Sequence, residues 1–169
     1  LSSHLYFLIE AGGAPIELQC LGVSVAAEGI VDTCFSELAQ VDKAFRDEVS
    51  NAQAKLAELG LSEALKKRID GALGAMKSAR GSDRLRAFVQ TNGHDEQLFE
   101  SWKRLRNTAA HGGKIEGQNI AQTLADLNNL LFLCYSMVLM FCGYTGVQTN
   151  YSTVGYPDFP PQIPAQANP

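Results

Sequence analysis

At 169 residues and 46% hydrophobic, the chain is long and apolar enough to bury one sizeable core, which excludes a disordered or collagen-like polypeptide. Its net charge of −4 argues against a protein that coats DNA without selectivity. Four cysteines, none in a Cys-x2-Cys pair, point to free buried thiols in a reducing cytoplasm and not to a disulfide framework or a zinc site, and no secretory signal precedes them.

The elements are helical almost throughout. An apolar segment, Leu5 to Ala11, stops at Gly12-Gly13, and Pro15 opens a long helix to about Leu59 that breaks where its composition turns from apolar to charged. Gly22, Ala26 and Gly29 form a small-residue stripe on which another helix can pack closely. Ser62 opens a helix to about Ala79, Ser82 or Asp83 caps one through Gln90, and Asn92-Gly93 is a turn. Asp95 caps the next helix, in which Leu98, Trp102, Leu105 and Ala109 make one apolar stripe, with Trp102 a core anchor. The last helix runs from about Gly117 to Cys142 and is apolar on every side from Leu130. That apolar run is too short for a bilayer, for which about twenty residues are needed, so no membrane is expected. After Gly143 a Tyr- and Pro-rich tail should lie extended over the bundle. The predicted architecture is an all-α bundle of about four to six helices over 1–143 with an extended C-terminal tail over 144–169. The start at Leu1, directly into apolar residues, reads as a piece of a longer protein.

The chemistry concentrates near the end of the Trp102 helix. Arg106 and His111, in Arg-x4-His spacing with Asn107 beside the arginine, pair a permanent cation able to grip phosphate with the side chain able to move a proton near neutral pH. Helical geometry puts Arg106 on the flank of the apolar stripe and puts Asn107 and His111 on the face away from the core. The plainer reading is a solvated helix end. Residues 66 to 114 hold eleven of the fourteen basic residues and are net +6, while residues 1 to 65 are net −7. A basic middle can attract a polyanion, or its charges can pair with the acidic first segment. Glu28, set among Val23, Val25, Ala26, Ala27 and Ile30, needs a partner or a polar cleft, and Arg106 is one candidate beside an ordinary surface position. His94 and His4 read as surface residues.

Leu105-Arg-Asn-Thr-Ala-Ala-His-Gly112, late in an all-helical chain, resembles the signature of the HEPN superfamily (higher eukaryotes and prokaryotes nucleotide-binding). Gly143-Tyr-Thr-Gly146 and Asn150-Tyr-Ser-Thr-Val-Gly-Tyr-Pro157 are similar to the tail of ApeA-type antiphage proteins, whose HEPN domain is C-terminal to another domain. The resemblance implies a HEPN-like bundle acting as a metal-independent, cofactor-free endoribonuclease. In it two subunits combine their motifs in one cleft and a regulatory N-terminal domain belongs to the parent protein. Carried onto this chain, it gives His111 the role of general acid and base, Arg106 that of phosphate ligand and Asn107 that of orienting group, with Glu28 in support. Lys103, Arg104 and Lys114 are the candidate RNA contacts, with tRNA among the targets. The alternative is a catalytically silent HEPN module that dimerises or binds RNA or a nucleotide. A third reading, independent of the resemblance, is a helical interaction domain paired through its last helix.

Overall fold

The computed structural model describes residues 1–110 and 120–159. Seven helices are present among them: α1 (Ser2–Gly12), α2 (Ile16–Cys34), α3 (Lys43–Glu58), α4 (Glu63–Ala75), α5 (Gly81–Thr91), α6 (Glu96–Ala110) and α7 (Ile120–Phe141). The described residues are all-α apart from a two-stranded antiparallel ribbon, β1 (Gln148–Thr149) on β2 (Asp158–Phe159), with Gln148 opposite Phe159. The count passes four to six because the opening apolar segment is a full helix, α1, while the long stretch after Pro15 divides in two as its composition suggested.

That division uses neither glycine nor proline. Phe35 leaves the helical path and turns into the core, where its ring meets Phe88 edge-on at 4.9 Å. Arg84 then holds the connection, donating from Nη1 to Asp32 Oδ1 at 2.7 Å and from Nε to the Ser36 carbonyl at 3.3 Å. Asp42 restarts the helix by accepting from the Ala44 amide at 3.4 Å.

The core lies where α2, α5, α6 and α7 meet. Val23, Ala27, Ile30 and Val31 of α2 pack with Leu85, Phe88 and Val89 of α5, Leu98, Trp102 and Leu105 of α6, and Leu130, Leu133 and Met137 of α7. The small-residue stripe does what its spacing predicts. A Cβ on Gly22 would sit 2.9 Å from that of Ala11, and one on Gly29 would overlap the His4 ring, so α1 lies tightly along α2. His4 is accordingly half-buried and 3.3 Å from Thr33 Oγ1, not a loose surface residue.

His94 also departs from the surface position its sequence suggested. It is buried, stacked on Phe88 at 5.6 Å and on Phe159 of β2 at 4.9 Å, and neither ring nitrogen has a hydrogen-bond partner among the described residues. Burial depresses its pKa to about 4, so it packs as a neutral aromatic ring. The residues after Gly143 therefore do not simply extend. They fold back as a ribbon whose Phe159 seals His94 and Phe132, while Tyr151 and Tyr156 remain exposed against each other. Residues 160–169 of the predicted tail lie outside the described residues.

By length and apolar composition α7 could cross a membrane. Its 22 residues include eight buried ones, and its one charged residue, Asp126, is buried in a salt bridge to α6, which is the packing of a core helix. Of the four thiols, Cys20 and Cys134 are buried as predicted, whereas Cys34 is half-buried and Cys142, just past the end of α7, is exposed.

Candidate functional site

α6 presents the candidate residues, and its start is fixed first. The Asp95 carboxylate accepts from the Gln97 amide at 2.8 Å, and Leu98, Phe99, Trp102 and Leu105 then bury one face. Trp102 is a core residue and offers no stacking platform. Arg106, in the last turn, lies on the flank turned toward α2. Its Nε donates to Glu28 Oε1 at 2.8 Å, the two side chains being 36% and 30% exposed. The isolated glutamate in the apolar helix and the motif arginine are thus partners, and the rest of the guanidinium stays within reach of an incoming anion. Asn107 is exposed, one residue further round the helix. His111 and Lys114 lie outside the described residues.

Lys103 and Arg104 separate. Lys103 is exposed and its Nζ lies 3.7 Å from Glu100, an ordinary screened surface pair. Arg104 braces α6 to α7. Its Nε and Nη2 reach the two oxygens of Asp126 at 2.8 and 2.6 Å, and Nη2 also donates to Ser101 Oγ at 3.2 Å. Ser101 and Gln122 donate to the same carboxylate at 2.9 and 3.0 Å, and Asn129 donates to Ser101 at 2.9 Å. Burial alone would raise the Asp126 pKa, but the bonds from Arg104, Ser101 and Gln122 outweigh it and hold the carboxyl below its ordinary value. The Arg104 guanidinium is raised in turn by its bond to Asp126.

Beside this brace opens a cavity of about 420 Å³ lined by Cys20, Arg104, Leu105, Asn107, Thr108, Gln122, Thr123 and Asp126. The Cys20 thiol at its wall is raised by burial and then by the nearby Glu17 and Asp126 carboxylates, so it is a poor nucleophile. The end of α6 therefore has two flanks, an ion pair to α2 through Arg106 and a polar cavity against α7 reached by Asn107.

The brace was not read from the sequence, although its signal was there: Asp126 is the one charged residue between Ile120 and Phe141. A carboxylate in such a helix must find a cation, and α6 supplies it. Much of the basic middle proves to be paired. Arg84 and Arg106 bond acids of the first segment, Arg86 bonds Glu96 at 2.9 Å, and Arg104 bonds Asp126. No family model, curated protein or solved structure matches this chain.

Proposed function

We propose that this domain is a HEPN-type, metal-independent endoribonuclease that works as a homodimer in the cytoplasm, in antiphage defence, on RNA targets that include tRNA. The observation that supports the reading is the placement of Arg106. It sits in the last described turn of α6, held in a fixed orientation by Glu28 yet one-third exposed, beside the exposed Asn107 and five residues before His111. A guanidinium held from one side by a carboxylate is preorganised to offer its remaining donors to a phosphate, at no cost in side-chain ordering when the substrate arrives.

In this reading the ribose 2′-hydroxyl attacks its own 3′-phosphate. The bond to the leaving 5′-oxygen breaks, and a 2′,3′-cyclic phosphate and a 5′-hydroxyl remain. His111 takes the proton from the 2′-oxygen or returns one to the leaving oxygen, a contribution of about 10²–10⁴-fold. Arg106 neutralises the charge that grows on the phosphoryl oxygens, and Asn107 orients the imidazole or the phosphate. DNA lacks the attacking hydroxyl and stays intact.

One observation favours the silent alternative, a module that dimerises or binds RNA without cutting it. The Arg106 charge is already matched by Glu28. Cleavage of total tRNA in EDTA, with a DNA control and with Arg106→Ala and His111→Ala alongside, decides between them. RNA-only cutting lost in both variants carries the nuclease. Uncut RNA with salt-sensitive binding carries the silent module instead.

A further inference from the structure

The walls of the cavity between α6 and α7 have spent their charge but not all of their hydrogen bonds. Arg104 gives Nε and Nη2 to Asp126, which leaves Nη1 without a partner among the described residues. Gln122 gives Nε2 to Asp126 and keeps Oε1 without a partner there. One donor and one acceptor thus remain on side chains that line the same 420 Å³. Cys20 and Leu105, both buried, supply apolar wall, while Asn107 and Thr108 are exposed and stand at the mouth.

This chemistry selects the occupant. An anion is disfavoured, because the buried Asp126 carboxylate is part of the wall and matches the Arg104 charge. A wholly apolar ligand is disfavoured too, because it would strip water from Nη1 and Oε1 and return no hydrogen bond. A flat, neutral ring with a polar edge meets both demands. An unpaired nucleobase is such a ring, with a donor beside an acceptor on its edge. The volume falls among pockets that enclose small organic ligands, about 300–1,000 Å³, so it admits a base with its ribose.

We propose, on the reading that RNA approaches the end of α6, that this cavity takes an unpaired base of the strand whose phosphate meets Arg106. Gln122 and Arg104 hold the polar edge of the base, and Leu105 and Cys20 meet its ring. Position supports this. Arg104 and Thr108 are each two residues from Arg106, about 160–200° round the helix, and Asn107, at about 100°, borders both places. That path is roughly 15–20 Å along the helix surface, which a single strand covers in a few nucleotides. RNA affinity then has a base-dependent share that salt does not screen, added to the phosphate share that it does.

The test is fluorescence anisotropy of the whole 169-residue chain with a short single-stranded 2′-fluoro RNA, which lacks the attacking hydroxyl and stays uncut. The same strand with its bases removed is the comparison. The wild type should bind the base-carrying strand about tenfold more tightly, the worth of one well-made pair of contacts to a base. Gln122→Ala, which removes the open acceptor, and Thr108→Trp, which fills the mouth, should each erase most of that difference. Both should keep the wild type's helical circular dichroism, its affinity for the abasic strand and its salt dependence. Equal wild-type affinity for the two strands, a difference that survives both variants, or no binding at all overturns the proposal. Cleavage of tRNA is read separately. Base-dependent binding with uncut tRNA removes the nuclease and keeps the cavity's role, and cut tRNA without base dependence does the reverse.

Discussion

α2 and α3 are of similar length and lie next to each other in the chain, yet they are stabilised differently. α2 buries seven of its 19 residues against four other helices, whereas α3 buries two of 16 and its partner α4 none of 13. α2 is apolar on nearly every side and has nowhere stable to be except the core. α3 and α4 carry alanine, lysine, glutamate and arginine, good helix formers, around a narrow seam. The bundle is held by tertiary burial. The hairpin is held by helix propensity, by side-chain hydrogen bonds from Gln53 to Asp70 and from Lys66 to the Ala57 carbonyl, and by a small apolar contact, and it should open at a lower free energy than the rest.

The sharpest way to break this contrast is to remove a large side chain from the bundle. Phe88→Ala should cost about 3–5 kcal/mol in denaturant unfolding, because its fully buried ring contacts Phe35 and His94. Acid should act next most strongly. With a folded pKa of about 4 against an ordinary 6.5, His94 binds fewer protons folded than unfolded. Its contribution is therefore complete above pH 6.5 and declines by about 3 kcal/mol as the pH falls to 4. His94→Phe should flatten that part of the stability profile, and a profile that matches the wild type's would show the ring to be solvated.

Asp126→Asn comes third, at about 2 kcal/mol, discounted because the Arg104 partner is well exposed. The Asp126 pKa is lowered in the fold, so its contribution is present above the ordinary carboxylate range and is lost as pH falls through the folded value. The variant should lack that loss at the acid end. The smallest effect belongs to the hairpin. Leu56→Ala should cost about 1–2 kcal/mol, below the usual core range because its surroundings are sparse. Amide exchange should then quicken in α3 and α4 while α2, α6 and α7 stay protected. Quickening throughout the chain would merge the two regions into one cooperative unit.

What the sequence disclosed follows the same division. Apolar stretches and their caps located the core helices, the small-residue stripe on α2 announced a close helix neighbour without saying which, and a lone carboxylate in an apolar run gave the Glu28–Arg106 pair as one of two options. Those signals are local. The break after Cys34 falls where the composition changes, at Phe35 to Glu37, but what holds it there is not local: Phe35 turns inward to meet Phe88, and Arg84 captures the Ser36 carbonyl from 48 residues away. His94 was misread because a histidine after Asn-Gly looks solvated until Phe159 closes over it. Arg104 was counted among the RNA contacts, and no spacing rule reveals that Asp126, 22 residues later, engages it. At the site, Arg106 and Asn107 stand where helical geometry put them, one on the flank and one exposed.

The thiols offer a practical consequence. Cys134 is fully enclosed and its thiol is pushed up to about 12, so almost none of it is thiolate at neutral pH, while Cys142 lies open just beyond α7. A maleimide dye added to the native chain should therefore attach first at Cys142, and Cys134 should react only as the bundle opens. The untouched sequence thus carries both a fluorophore anchor beside the ribbon and a chemical clock for core opening.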